Sequence, residues 1–164
     1  MKNCLFFATA LTLSLTACSD RNEIWQQNHD LPENTWNESN VLTYNFEATD
    51  TSAVYNLYMD IGFEEAYPSQ NLYFKIKTVY PNGKTYEQVV GADLFDKTGK
   101  PNGPKTWFSS NHNYTLVMRE RLHFNPKGNY KFLLTPFLRE PQVPNITNIK
   151  FWMEKNAEAS GKEL

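Results

Sequence analysis

The chain has 164 residues, two cysteines and a formal charge of −2. The length suits one domain of ordinary size, and the small charge excludes a strongly basic nucleic-acid-binding protein. Two cysteines exclude a disulfide framework and a four-cysteine zinc site. Aromatic residues make up 15% of the chain, which favours a β-rich core or a binding face.

Residues 1–17 have the pattern of a secretory signal peptide. A start with one lysine is followed by an almost wholly apolar run from Cys4 to Leu15, which is too short to span a bilayer as a helix. The sequence Leu15-Thr16-Ala17-Cys18 resembles a bacterial lipobox. We therefore predict that signal peptidase recognises Leu15, Thr16 and Ala17, and that Cys18 is lipidated. The alternatives are an ordinary signal peptide with an incidental cysteine, or a short buried helix.

Cleavage before Cys18 would discard Cys4 and turn the remaining cysteine into a thioether. Stable attachment to a membrane needs at least two acyl chains, such as palmitate, and bacterial lipoproteins usually carry two or three. No other stretch approaches about 18 apolar residues. We expect the membrane contact to be made through the lipid anchor.

The rest of the chain divides by composition. Residues 18–40 are polar and are predicted to form the lipidated N-terminus and a tether, which begins to dock on the domain near Leu31 to Trp36. Residues 41–155 alternate between apolar and polar and are predicted to form the domain. Residues 156–164 are predicted to be a polar tail.

Alternation with a period of two residues predicts β-strands in the domain. The clearest stretch is Tyr55 to Glu64, and Pro81-Asn82-Gly83-Lys84 is a hairpin signal between two further strands. About seven short strands with turns between them indicate an all-β fold, an antiparallel β-sandwich that is immunoglobulin-like or related. A β-barrel is the alternative.

The sequence contains no motif that predicts catalysis. His29, His112 and His123 are far apart and lack metal-ligand spacing. Ser109 and Ser110 lie close to His112, but no nucleophile-elbow motif surrounds them. We predict no catalytic residue, no metal, no cofactor and no small-molecule substrate.

The surplus of aromatic residues leaves two interpretations open. Tyr58, Tyr73 and Trp152 fall on strand faces opposite the better apolar rows. They form either a second packed face or a platform for a partner or a sugar. Trp36, Trp107 and Trp152 are the tryptophans that we consider as possible binding residues.

The chain as a whole resembles the gliding motility lipoproteins of the GldH family. Besides the lipobox, the resemblance rests on segments that occur in order along the chain: residues 31–36, 55–59, 67–73, 80–85 and 94–100. It implies a component of the gliding motility apparatus and its associated secretion system. It implies no catalytic residues, and the region after Gly103 matches less well.

Three functions remain to be compared. The first is a lipid-anchored, non-enzymatic component of an envelope machine, placed by preference in the outer membrane and in contact with other envelope proteins. The second is a surface lipoprotein that binds carbohydrate through exposed aromatic residues. The third is a hydrolase, which would need a cleft with perturbed carboxylates or a Ser–His pair.

Overall fold

The computed structural model describes residues 23–106, 110–137 and 140–156, and most of them lie in β-strands. The strands are β1 (Glu23–Asp30), β2 (Thr35–Asn37), β3 (Leu42–Ala48), β4 (Tyr55–Glu64), β5 (Asn71–Val79), β6 (Thr85–Asp93), β7 (Asn111–Leu122), β8 (Gly128–Pro136), β9 (Gln142–Pro144) and β10 (Ile146–Lys155). A single 3-10 turn, Pro32–Asn34, precedes β2. The predicted signal peptide, Leu15, Thr16, Ala17 and Cys18 lie outside the described residues.

The strands form two four-stranded antiparallel sheets. The first sheet has the order β1-β10-β4-β7, the second has the order β3-β8-β5-β6, and β2 pairs with β9 in a small separate ladder. The sheets do not close into a barrel, so the predicted β-sandwich is confirmed. Ten strands are present among the described residues where about seven were expected, because β1 and the short strands β2 and β9 were not predicted.

The alternating rows of the sequence form the core between the sheets. In β4 every second residue from Tyr55 to Phe63 points inward and is at most 5% exposed. Leu72, Phe74 and Ile76 of β5 are buried in the same cluster. Burial of each such side chain contributes about 1.5–3 kcal/mol, so these rows hold the sandwich together.

Aromatic rings and one hydrogen bond join the two sheets near their centres. The Tyr44 hydroxyl on β3 donates to the carbonyl of Ile149 on β10 at 2.8 Å. The centroid of the Phe151 ring lies 4.7 Å from that of Tyr44 and 5.8 Å from that of Phe132. Burial raises the pKa of the Tyr44 hydroxyl, so it remains a donor.

The predicted hairpin at residues 81–84 is present between β5 and β6. The Tyr80 N–H donates to the Lys84 carbonyl and the Gly83 N–H to the Tyr80 carbonyl, both at 2.9 Å. Gly83 has φ of 79°, a conformation that costs glycine little and other residues more. Local turn chemistry therefore fixes this register.

The expected tether differs from the structure over Glu23–Asp30. These residues form β1, an edge strand that pairs with β10 from Glu23↔Glu154 to Asp30↔Asn148. Trp25 on its inner side contacts Phe46 edge-on at 5.6 Å. The ordered domain thus begins well before residue 41. Within the described residues, no helix is long and apolar enough to cross a membrane.

The described residues end just after β10. β10 ends at Lys155, and Asn156 still donates its backbone N–H to the Val54 carbonyl at 2.9 Å. The remainder of the predicted tail, residues 157–164, lies outside the described residues.

Candidate partner-binding surface

Trp36, a predicted binding residue, is part of the core instead. It is 0% exposed, and its Nε1 donates to the Asn40 carbonyl at 3.0 Å. Its ring lies 6.3 Å from that of Phe74 on the second sheet. The prediction for Trp36 is therefore wrong, because β2 carries this side chain inward over the end of the sandwich.

Trp152 is also buried, although it lies on the outer face of β10. It is 5% exposed and stacks on Tyr58 of β4 with the ring centroids 4.2 Å apart. The Tyr58 hydroxyl donates to Glu154 Oε1 at 2.7 Å. Trp152 and Tyr58 thus form a packed outer face, which is the first of the two interpretations given above, and the prediction of Trp152 as a possible binding residue is wrong. Trp107 lies outside the described residues.

Exposed apolar side chains gather instead on the outer face of the second sheet. Tyr73 of β5 is 44% exposed, Val89 of β6 is 50% exposed, and Phe137 just after β8 is 48% exposed. They line an open groove with a volume of about 1330 Å³, together with residues of the 67–69 loop and of β9. The sequence analysis identified Tyr73 as a possible binding residue, but no sequence feature predicted that Val89 and Phe137 would be exposed beside it.

Backbone pairing positions the aromatic side chains of this groove. Tyr73 pairs with Gly91 of β6, and a Cβ on Gly91 would lie only 2.7 Å from Tyr73 Cε1. Glycine therefore allows the Tyr73 ring to lie across β6. Phe137 donates its N–H to the Tyr73 carbonyl at 2.9 Å. Lys75 Nζ lies 4.8 Å from the centroid of the Phe137 ring.

Tyr67 lines the same groove but is itself buried. Its hydroxyl donates to the Asn71 carbonyl at 3.0 Å, and its ring is nearly parallel to that of Phe95. Burial raises the pKa of Tyr67 to about 12. The phenol is consequently neutral at physiological pH and serves to hold the 65–70 loop.

A charged cluster occupies the same end of the sandwich. Glu65 Oε1 accepts hydrogen bonds from Lys105 Nζ at 2.9 Å and from His112 Nε2 at 3.1 Å. Lys105, followed by His112, lowers the pKa of the Glu65 carboxyl. His112 Nδ1 faces the Gly103 carbonyl at 3.4 Å. Both ring nitrogens thus face acceptors, which suits a donor that ties loops together rather than a general base.

The described residues provide no arrangement for holding a metal ion. Among residues 23–106, 110–137 and 140–156, no group of three or more His, Cys, Asp or Glu side chains comes together. His29 instead donates through Nε2 to the Thr43 carbonyl at 3.0 Å. Of the serines near His112, Ser109 lies outside the described residues.

β6 forms an open edge next to the groove. It pairs with β5 alone among the described strands, and its register has no bulge. The Tyr80–Lys84 and Gln70–Leu94 hydrogen bonds flank this ladder. Since bonded and non-bonded pairs alternate in an antiparallel ladder, odd-numbered residues of β6 direct their N–H and C=O groups outward. These residues are Thr85, Glu87, Val89 and Gly91.

The opposite side of the sandwich is linked by side chains instead. Gln27 Oε1 on β1 accepts from the Asn45 N–H of β3 at 2.7 Å, and Trp25 Nε1 donates to the Asn45 carbonyl at 3.1 Å. These contacts cover backbone groups of β3 that would otherwise be free to pair with another strand. Of the two edges of the second sheet, that of β6 is therefore the more open to an added strand.

Comparison with known proteins gives one family. The profile of the GldH lipoprotein family matches residues 23–151. A gliding motility lipoprotein GldH homolog from Christiangramia forsetii is 22% identical over 161 residues, covering 92% of this chain and 94% of that protein. The gliding motility lipoprotein GldH of Flavobacterium johnsoniae is 24% identical over 127 residues, covering 73% of this chain and 77% of its own.

Similarity to solved structures is weak. The 4-O-methyl-α-glucuronidase BtGH115A has a TM-score of 0.45 and 15% identity, and the match covers 92% of this chain but only 20% of that one. The VP2 subviral particle of infectious bursal disease virus has a TM-score of 0.36, with 94% of this chain and 39% of that chain covered. Similarities of this size carry no argument about function.

Proposed function

This chain belongs to the GldH family of gliding motility lipoproteins, and we propose on that basis that it is a non-enzymatic part of the gliding motility apparatus and its associated secretion machinery. The observation that carries the proposal is the family match over residues 23–151, which spans nearly the whole sandwich. Both matched relatives are gliding motility lipoproteins by name. We place the protein in the outer membrane, with other envelope proteins as partners.

The anchor in this proposal is Cys18. Signal peptidase would recognise Leu15, Thr16 and Ala17, cleave before Cys18 and leave a lipid-modified N-terminus. Two or more acyl chains make such attachment stable. The described domain begins only a few residues later, at Glu23, so it would be held next to the membrane.

Metabolic labelling with a fatty acid tests this anchor. We expect label on the wild-type protein and none on the Cys18→Ala variant, because the thiol that accepts the lipid is missing. Cys4→Ala is the matched control and should label normally, since that residue is removed with the signal peptide. Equal labelling of wild type and Cys18→Ala would refute lipidation at this position.

The partner surface that we propose is the open edge of β6 with the neighbouring groove. The outward backbone groups of Thr85, Glu87, Val89 and Gly91 suit an extended polypeptide, which pairs through its own N–H and C=O groups. Tyr73, whose ring lies across β6 at Gly91, would then contact side chains of the added strand, and Phe137 lines the groove on the other side of β5. A segment of another envelope protein matches this chemistry better than a lipid or a small molecule does.

Proline substitutions test strand addition at β6. Val89→Pro removes an N–H that faces outward, which an edge strand tolerates, and should weaken partner crosslinking in intact cells about tenfold. Val89→Ala keeps the N–H and controls for the side chain. Gln88→Pro removes an N–H that faces β5 and should destabilise the fold. A folded Val89→Pro protein with unchanged crosslinks would contradict this surface.

One observation favours a second function, carbohydrate binding. The Tyr73 ring lies close to Gly91, where no side chain covers it, and the side chain is 44% exposed, which suits an aromatic contact with a sugar. If envelope glycans bind here, Tyr73→Ala should abolish glycan retention in affinity electrophoresis. Tyr86→Ala, at a tyrosine that is 56% exposed elsewhere on β6, should leave it intact. Retention lost in both variants would not support a Tyr73 site.

A further inference from the structure

The N-terminal end of β1 lies close behind the expected lipid. Four residues separate Cys18 from Glu23, and a fully extended chain advances at most about 3.6 Å per residue, so this link reaches about 18 Å. Glu23 is itself fixed to the sheet, because its carboxylate accepts from Lys150 Nζ at 2.9 and 3.0 Å. The anchor therefore acts on a defined end of the domain.

The strand pairing shows which loops share that end. Glu23 pairs with Glu154, and Tyr55 lies level with Lys155 and Leu122. In the second sheet, Ala48 pairs with Gly128 and Val79 with Thr85. The connections 49–54, 80–84 and 123–127 consequently lie at this end, which we call the anchor end. The 65–70 and 94–106 loops and the groove lie at the far end, about 33 Å away along a strand of ten residues.

The two ends differ in charge. The anchor end is balanced, with five basic residues against five acidic ones: Lys84, Arg119, Arg121, Lys127 and Lys155 against Glu23, Glu47, Asp50, Glu120 and Glu154. The described part of the far end has eight acidic residues against three basic ones: Asp30, Glu33, Glu38, Glu64, Glu65, Asp93, Asp96 and Glu140 against Lys97, Lys100 and Lys105. The molecule is therefore electrically polar along its strands.

We infer that the anchor end faces an anionic lipid surface and that the far end, with the groove, projects away from it. Acidic side chains in excess, as at the far end, are repelled by the negative potential of such a surface, whereas the balanced anchor end is not. That potential falls off over a Debye length of about 8–10 Å, so it acts on the near end and repels the acidic end if the domain tips over. The inference rests on lipidation at Cys18.

Depth-dependent quenching tests this orientation. The lipidated full-length protein is reconstituted in vesicles of phosphatidylethanolamine and phosphatidylglycerol that carry a quencher on the headgroups. A fluorophore is placed at Asn129→Cys, near the anchor end, or at Gln142→Cys, in the groove. We expect strong quenching at position 129 and little at position 142. Equal quenching, or the reverse order, would overturn the proposal.

Charge reversal separates the role of the charge difference between the two ends from that of the tether. Lys84→Glu with Lys127→Glu should reduce the difference in quenching between the two probes, as should vesicles of phosphatidylcholine alone. Lys97→Glu with Lys100→Glu, at the far end, is the matched control and should preserve the difference. If the anchor-end reversal leaves the difference intact, the lipid charge does not orient the domain.

The same preparations distinguish failure of the anchor from failure of the orientation. Fatty-acid incorporation is measured on each protein before reconstitution. A protein without lipid would refute both the anchor and the orientation that depends on it. A fully lipidated protein with equal quenching at both positions would refute the orientation and leave the anchor standing.

Discussion

Tyr44 contributes to stability through a single buried hydrogen bond. Its hydroxyl donates to the Ile149 carbonyl at 2.8 Å across the two sheets. Tyr44→Phe removes the donor and keeps the ring, and the Ile149 carbonyl keeps its place in the ladder with His29, so we expect the free energy of unfolding to fall by about 0.5–1.5 kcal/mol. Chemical denaturation measures this change. Tyr86→Phe, on an exposed ring, should be neutral, and equal stability of Tyr44→Phe and wild type would contradict the role.

Asp96 makes stability depend on pH at one turn. A hydrogen bond from Thr98 Oγ1, followed by backbone N–H groups of Lys100 and Thr98, lowers the pKa of its carboxyl from 3.8. The folded state favours the deprotonated carboxylate. The resulting stabilisation is fully present above the pKa of the unfolded chain, and it is lost as the pH falls through the lower pKa of the folded protein.

Asp96→Asn should therefore be less stable than wild type at neutral pH, and the two should converge in acid. The measurement is the difference in the free energy of unfolding across this range. A difference that stays constant with pH would show that the charge of Asp96 is not responsible.

Single residues show where sequence reasoning reaches its limit. The inward residues of β4, such as Met59 and Ile61, were predicted correctly because alternation follows from the strand backbone itself. Trp36 and Trp152 were not, because their burial depends on Phe74 and Tyr58, which are distant in the sequence. Exposure of Phe137 likewise depends on where β8 ends.

β1 attaches to the domain through side chains as well as backbone. Trp25→Ala removes the ring against Phe46 and the hydrogen bond to the Asn45 carbonyl. For this half-buried side chain we expect a loss of about 2–4 kcal/mol in the free energy of unfolding. Ile24→Ala, at a residue that is 43% exposed on the same strand, should change stability by no more than about 0.5 kcal/mol. Equal effects of the two changes would contradict the packing of β1.

Elements with strong local signals were predictable, and edge elements were not. The hairpin at 81–84 could be read because Asn-Gly chemistry is local. β1 was not predicted because the polar residues Gln27 and His29 occupy two of its inner positions. The strand therefore lacks the alternation of apolar and polar residues that identifies the other strands. These side chains bond to Asn45 and Thr43 of β3, a pairing that only the folded chain reveals.

At the scale of the whole molecule, gene deletion is the relevant measurement. Deletion in a gliding host should impair spreading and secretion, and the wild-type chain should restore both. Cys18→Ala should fail to restore them even when the domain folds, because the protein would no longer be held at the membrane. Normal spreading and secretion in the deletion strain would contradict a role for this protein in the motility machinery.

The architecture was more predictable than its topology. Short alternating strands and frequent turns indicated a sandwich, since each strand has one apolar face to bury. The strand order could not be derived, because similar apolar faces fit several pairings. The groove depends on that order, as it brings the 67–69 loop next to β9.

β10, the last strand, is the only described strand that pairs with β1, the first. A chain that crosses a membrane N-terminus first would expose residues 23–30 until residues 146–155 had followed. The first sheet would therefore close only after export was nearly complete. Processing at Cys18, as proposed above, would then take place while β1 still lacks its partner strand.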